Sequence, residues 1–280
     1  MKNIINYILE EDEGFSDITS NALIDKDLIV SGKIISKDQG IVAGMDIVYD
    51  LFDKKGVEVT KLVEDGSLIN KGDVLLELLG NARDILLLER TALNISMRMS
   101  GVATSTYNIT KKVHNINPNI SIAGTRKTSP AFAKFDKEAI LIGGGDTHRF
   151  ALDDMVLIKD NHIAAVGSLE QALKRAIKNT SFTKKIEIEV ENIDDAVLVA
   201  QMGADIVMLD NFTPEKVSNS IDKLTELNLR DKVLIEVSGG INENNILDYA
   251  GLNIDIISLG ALTHSSRSLD FSLRIDKVKF

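Results

Sequence analysis

Apolar runs and longer mixed stretches alternate along the second part of the chain. The runs "NISIAG", "DMVLIKD", "KKIEIEVEN", "ADIVMLDN", "KVLIEVSGG" and "IDIISLGA" read as strands. Between several of them, "SLEQALKRAIKN", "NIDDAVLVAQMG" and "TPEKVSNSIDKLTEL" read as helices. This alternation predicts a parallel sheet with crossover helices. The pattern leaves two architectures open, an α/β barrel (complete or incomplete) and a doubly wound open sheet. The N-terminal part reads differently. An amphipathic opening helix precedes the strand-like runs "LIVSGKIIS", "VEVTKLV" and "DVLLELLG", which the turn signals "DQG", "EDGS" and "NKGD" separate. From Asn81 to about Asn115, Leu, Ile and Met recur at helical spacing, with Gly101 interrupting the pattern. A small sheet-rich domain followed by a linking helix is expected.

Polar residues gather where the later strands end. The first strand runs into "TRKTSP" and the second into "KDNH"; the third carries Glu187, Glu189 and Glu191. The last three end in "LDN", "SGG" and "GALTHS". Both architectures bring these ends to one edge. A single cleft would then collect Arg126, Lys127, His148, Arg149, Lys159, His162, Glu189, Asp210, Ser238 and His264. Each feature also has a plainer reading. "GGG" at 143–145 serves as a permissive turn, "TRK" as a solvated basic corner, and Lys159 as a partner for Asp160. The three alternating glutamates share one side of their strand; inside a barrel they require cations or a metal. "SGG" and "GA" at successive strand ends suit a phosphate site built from backbone N–H groups. No Gly-Lys-Ser/Thr follows "GGG", so it is not a Walker A loop.

Composition narrows the function classes. The 280 residues are 44% hydrophobic and 26% charged, so a sizeable core is available. A formal net charge of −10 argues against general nucleic-acid binding and requires any anion site to concentrate its positive charge locally. With no cysteine, disulfides, thiolate catalysis and Cys-ligated zinc are excluded. The opening "MKNIINYILEEDEGFSD" has neither the apolar core nor the cleavage site of a signal peptide. No apolar run reaches the roughly 18 residues of a membrane span. A soluble cytoplasmic protein is expected.

The joint pattern resembles the nicotinate-nucleotide pyrophosphorylase (carboxylating), or quinolinate phosphoribosyltransferase, family. The segments that carry the resemblance are "ERTALNISMRMSGVAT" (89–104), "TRKTSP" (125–130), "GGGDTHR" (143–149), "LIKDNH" (157–162), "EIEVEN" (187–192), "MLDN" (208–211), "SGGI" (238–241) and "GALTHS" (260–265). Their order and spacing match over nearly the whole chain. The resemblance implies an α/β fold: an incomplete α/β barrel of the type II phosphoribosyltransferase kind over residues 106–266, with an N-terminal α/β (open) sandwich domain over 1–105. The tail 267–280 would pack on that sandwich domain. It also implies a homodimer or an assembly of dimers up to a hexamer. The reaction would join quinolinate to phosphoribosyl pyrophosphate with Mg2+, giving nicotinate mononucleotide, pyrophosphate and CO2.

Residue by residue, the family pattern gives Arg126, His148 and Arg149 the two carboxylates of quinolinate. Lys127 and Lys159 would add charge there or on the phosphoribosyl side, and Arg90 would reach in from the neighbouring subunit. Ser238, Gly239, Gly240, Gly260 and His264 would hold the 5-phosphate. Glu189 and Asp210 would serve the magnesium and the ribose, and either could steady positive charge at the ribose. "GGGDTHR" would be a glycine turn that aims His148 and Arg149 into the acid pocket. Arginine suits such a dianion because its planar fork binds carboxylates bidentately. The chain departs from the family at Gly124, where Asp is frequent, and at Ala133, where Arg is frequent and Lys134 stands beside it. Three alternatives remain: a paralogous molybdenum-uptake-associated protein, a Schiff-base aldolase using Lys159, and a non-catalytic binding barrel.

Overall fold

The computed structural model describes residues 2–276. In chain order the elements are α1 (Lys2–Glu13), α2 (Ile18–Leu23), β1 (Ile29–Ser36), β2 (Gly40–Ile41), α3 (Met45–Asp53), β3 (Glu58–Lys61), β4 (Leu68–Ile69), β5 (Val74–Asn81) and α4 (Ala82–His114). There follow β6 (Ser121–Ala123), α5 (Ala133–Ile142), β7 (Val156–Ile158), α6 (Asp160–Val166), α7 (Leu169–Asn179), β8 (Ile186–Val190) and α8 (Ile193–Met202). The last elements are β9 (Ile206–Asp210), α9 (Pro214–Glu226), β10 (Leu234–Ser238), α10 (Leu247–Ala250), β11 (Ile256–Ser258), α11 (Ala261–His264) and β12 (Phe271–Ile275). The chain divides into two compact units, residues 1–107, 129–144 and 265–280 in the first and residues 108–128 and 145–264 in the second.

The first unit is built on an antiparallel sheet of order β12-β1-β5-β3. Inward positions of β1 alternate as Val30, Gly32, Ile34 and Ser36, the period of two that a half-buried strand requires. Strand β12 pairs with β1 in the register Gly32↔Ile275 to Ser36↔Phe271, so this part of the C-terminal tail belongs to the first sheet. Residues 277–280 of the tail lie outside the described residues. The short β2–β4 ladder docks on α4 through side chains of the helix. Ser100 Oγ accepts from Ala43 N at 2.9 Å, and Thr104 Oγ1 accepts from Ile41 N at 2.8 Å.

One sequence expectation is corrected here. Gly101 does not interrupt the helix, because α4 runs unbroken through it. The residue is small because the chain at 267–268 crosses it closely: a Cβ there would overlap the Arg267 carbonyl oxygen and stand 2.8 Å from Ser268 Cα. Residues 129–144 make most of their contacts with the first unit. An internal ion pair shows why. Asp136 on α5 is fully buried, and Arg98 of α4 grips it with two hydrogen bonds of 3.0 and 3.1 Å. A carboxylate so buried requires a fixed cationic partner.

The second unit carries six parallel strands in the order β6-β11-β10-β9-β8-β7. From β7 to β11 the order follows the chain without reversal, and β6 closes beside β11. A doubly wound sheet reverses its order at a switch point; this one wraps in a single sense and stays open between β6 and β7. It is an incomplete α/β barrel. The register sorts its residues into two faces. Ile188, Val207 and Ile235 form one buried row, and Val190, Leu209, Val237 and Ile257 another. Burial of each such side chain contributes about 1.5–3 kcal/mol. The other face carries the rows Glu187–Ile206–Leu234 and Glu189–Met208–Glu236, with Asp210–Ser238 one step further on. The crossover helices start on side-chain caps, Ser168 for α7, Asn192 for α8 and Thr213 ahead of Pro214 for α9.

Gly101→Ala tests the close crossing. Alanine is the better helix former by about 1 kcal/mol. The overlap with residues 267–268 reverses that sign, and a net loss of about 1–3 kcal/mol is expected. Urea unfolding of the two proteins measures it; an equal or higher midpoint for the variant would refute the steric account.

Candidate active site

The polar row ends of the open barrel surround a cavity of about 800 Å3, lined by residues of the second unit. Its wall gathers Arg126, Lys127, His148, Arg149, Lys159, Glu189, Asp210, Ser238, Gly239 and Gly240. Parallel strands explain the convergence, since all six ends point to one rim. Glu189 lies opposite Met208, so Asp210, two residues on, faces the same side of the neighbouring strand.

Each strand end holds its side chain by local bonds. After β6, Thr125 Oγ1 accepts from Lys127 N at 3.1 Å, and Thr263 Oγ1 donates to Lys127 O at 2.7 Å. After β7, Lys159 caps α6; its N–H donates to His162 Nδ1 at 3.0 Å, and its ammonium pairs with Glu189 rather than with Asp160. At the end of β9, Asp210 Oδ2 accepts from Asn211 Nδ2 at 2.8 Å, and Asn211 takes φ +57°. At the end of β10, Ser238 Oγ accepts from Ser258 Oγ at 2.9 Å. Gly239 has φ +88°, and a Cβ on it would stand 2.8 Å from Asn211 N, so that turn requires glycine.

Not every expected residue lies on this wall. Gly260 and His264 flank Lys127 instead: a Cβ on Gly260 would come within 3.1 Å of both the His264 ring and Lys127 Cδ. His162 lines a smaller neighbouring cavity of about 460 Å3 that shares Arg126, Arg149 and Lys159. Arg90 is exposed on α4, in the first unit. Glu191 lies just past the end of β8 at Val190; it is exposed and lines the rim of the cavity. The "GGG" turn follows α5, with Gly144 at φ +83°. His148 itself takes φ +52° and is pinned by donating its N–H to Asp146 Oδ1 at 2.6 Å.

His148 is aimed at two buried acids. Its Nε2 lies 2.9 Å from Glu236 Oε2 and 3.3 Å from Glu187 Oε2, and neither glutamate is exposed. Burial alone would push the imidazole pKa down, but the bonds to Glu187 and Glu236 outweigh it and raise it to about 10. Glu187 is pushed above the ordinary carboxylate value by burial, with His148 opposing the shift and Glu236 adding to it. Arg149, nearly buried, is pulled below its usual value by burial and by the adjacent Arg126. Glu236 went unnoticed in the sequence. Its signal was a charged residue in the middle of the apolar strand "LIEVS".

Comparison with known proteins finds matches along both units. The Quinolinate phosphoribosyl transferase, N-terminal domain, matches residues 17–100, and the Quinolinate phosphoribosyl transferase, C-terminal domain, matches residues 102–274. A probable nicotinate-nucleotide pyrophosphorylase [carboxylating] of Methanothermobacter thermautotrophicus is 46% identical, covering 100% of each chain. One of Methanocaldococcus jannaschii is 49% identical over 97% of this chain and 96% of its own. Among solved structures, the nicotinate-nucleotide pyrophosphorylase from Francisella tularensis superposes with a TM-score of 0.90 at 34% identity, covering 98% of this chain and 95% of that one.

The His148 shift carries a stability signature. A histidine free in the unfolded chain titrates near pH 6.5, and in the folded chain near pH 10. The stabilisation is therefore complete below about pH 6.5 and is lost as pH rises through about 10. Melting curves of wild type and His148→Gln should converge between pH 7 and pH 10; a constant difference across that range would contradict the assignment.

Proposed function

The chain belongs to the quinolinate phosphoribosyl transferase family, and we propose a role for each side of its cavity in that chemistry. The enzyme transfers a phosphoribosyl group from phosphoribosyl pyrophosphate to quinolinate. Nicotinate mononucleotide, pyrophosphate and CO2 are the products, and the step brings the pyridine ring into NAD synthesis. The aldolase, binding-barrel and molybdenum-associated alternatives give way to this assignment. One observation supports the division of roles: five cations, Arg126, Lys127, His148, Arg149 and Lys159, share a cavity with the carboxylates of Glu189 and Asp210 and a glycine turn.

Quinolinate is a dianion, and the cationic side is the match for it. Arg126 and Arg149 offer forked donors for its carboxylates, and His148 adds a further N–H. Ser238, Gly239 and Gly240, with Gly260 and His264 behind Lys127, take the 5-phosphate through backbone N–H groups and the lysine charge. Glu189 and Asp210 face the ribose. The quinolinate nitrogen attacks C1 of the ribose as the C1–oxygen bond to pyrophosphate breaks, with the bonding electrons leaving on pyrophosphate. Positive charge at C1 in the transition state is steadied by the two carboxylates. Loss of the carboxylate next to the nitrogen then breaks its C–C bond. The pyridinium ring takes up that electron pair, and a solvent proton replaces CO2 at the carbon. Alignment of the two reactants supplies most of the acceleration, and no protein nucleophile is used.

The donor set fits magnesium. Glu189 and Asp210 face the same side of adjacent strands at the cavity wall, and Mg2+ prefers one or two carboxylates completed by phosphates and water. They would hold the ion, which when bound supplies charge neutralisation for the pyrophosphate. In the assembly we propose, a homodimer or a hexamer built of dimers, the exposed Arg90 of each subunit serves the partner's cavity. A cytoplasmic location rests on the sequence alone.

Purified protein with quinolinate, phosphoribosyl pyrophosphate and Mg2+ should release CO2 and form nicotinate mononucleotide; no turnover by folded protein would refute the reading. Arg126→Ala should lower kcat/KM for quinolinate about 10- to 100-fold, the value of a charged hydrogen bond. Mixing inactive Arg90→Ala and Lys159→Ala subunits should restore turnover by forming one intact site per hybrid dimer. If the mixture stays as inactive as its parts after subunit exchange, Arg90 does not act across subunits.

A further inference from the structure

Two carboxylate oxygens around His148, Oε1 of Glu187 and Oε1 of Glu236, are buried without a hydrogen-bond partner among the described residues, and Oε2 of Glu187 has only the 3.3 Å ion-pair contact to Nε2. Their strands, β8 and β10, are separated by β9, and the two side chains meet over it only because both face the barrel interior. Unpartnered buried carboxylates are costly, and such groups require an explanation beyond packing. Apolar side chains would fill the same interior at less cost.

The geometry at the imidazole supplies one. The Nε2 edge of His148 is occupied by the two carboxylates, and Nδ1 makes no hydrogen bond among the described residues. His148 also lines the cavity. In a neutral ring whose Nε2–H is given to Glu236, Nδ1 is a lone-pair acceptor and repels an incoming carboxylate. With a proton on both nitrogens, Nδ1 becomes a donor to it. A pair of acids behind the ring selects the second form.

We propose that Glu236 and Glu187 are positioning residues for the acid substrate: they hold His148 between them as an imidazolium, so that its Nδ1–H is offered to a carboxylate of quinolinate. The inference rests on the quinolinate reading of the cavity. The other cations facing the substrate are differently committed. Lys159 is paired with Glu189, while Arg149 is repelled by Arg126 and attracted by Glu187 and Glu189. The remaining charged groups on the wall are Lys127, Asp210, Asp160, Glu191 and Asp195. The largest influences on the state of His148 are its burial, which opposes the charge, and its two acids, which favour it. The buried acids thus convert a group that would titrate near pH 6.5 into a cation that persists through neutral and mildly alkaline pH.

The test compares wild type with Glu236→Gln and Glu187→Gln in steady-state assays from pH 6 to pH 9. Expected at pH 8 is a rise of about 10- to 100-fold in the quinolinate KM, the value of one charged hydrogen bond. The KM for phosphoribosyl pyrophosphate should be unchanged. The defect should shrink toward pH 6, where the imidazole protonates unaided, and Glu236→Asp should recover part of the loss. A defect equal at all pH values, or shared by both substrates, would mean a structural role only and overturn the proposal. If the variants do not fold, 15N spectra of histidine-labelled wild type decide it. His148 doubly protonated at pH 8.5 supports the proposal, and a neutral ring refutes it. Wild-type turnover is the internal control: its absence sinks the quinolinate reading, whereas normal turnover with unaltered variants sinks only the inference.

Discussion

Everything in the second unit depends on the register of its parallel ladder. Ile188, Val207 and Ile235 sit side by side on one face, and on the other Glu189, Met208 and Glu236 do the same. The side-chain period of a strand is two, so a slip of one residue would exchange these faces. It would drive Ile188 and Val207 into the cavity and leave Glu187 and Glu236 among the apolar residues of the other face. The apolar row therefore does more than stabilise: its burial holds the acids and the strand-end loops in place. Those loops can then be irregular, with Asn211 and Gly239 in left-handed conformations, because the ladder behind them does not move.

The charge of the site is balanced on the same rows. Although the chain carries a net charge of −10, the cavity gathers Arg126, Lys127, His148, Arg149 and Lys159. Two of them face acids contributed by the barrel interior: Lys159 pairs with Glu189, and His148 lies against Glu187 and Glu236. A buried cation with no counter-ion would lose its proton or its position. Pairing keeps His148 charged and both groups oriented before any ligand arrives, the condition under which electrostatic groups favour a transition state without reorganising.

Much of this was legible in the residues. All six barrel strands showed as apolar runs, and their polar ends were recognisable as one rim before the sheet order was known. What local pattern cannot carry is contact between distant segments. Gly101 looked like a helix breaker because propensity scores the residue alone, whereas its smallness answers to the chain at 267–268. The grouping of residues 129–144 with the first unit follows from Asp136 meeting Arg98, a long-range contact with no periodic trace. Glu236 was passed over because one charge in an apolar strand resembles an edge position. Only the register beside Met208 and Glu189 reveals that it points inward. Doubly wound and barrel sheets share one strand–helix pattern, so the choice between them needed the observed order.

The paired cations also bear on how such a site could turn over. A pocket of bare arginines and lysines would bind a dianion and a pyrophosphate tightly in both ground state and product. Tight binding that is equal in ground state and transition state does not accelerate the chemical step. When Lys159 must leave Glu189 to serve a substrate, part of the attraction is spent on breaking that pair, and substrate and product are held less firmly. The freed Glu189 is then available to positive charge at the ribose, which exists only near the transition state. In the proposed reading one ion pair therefore weakens ground-state binding and strengthens transition-state binding, and the parallel register of β7 and β8 is what brings Lys159, just past the end of β7, beside Glu189 of β8.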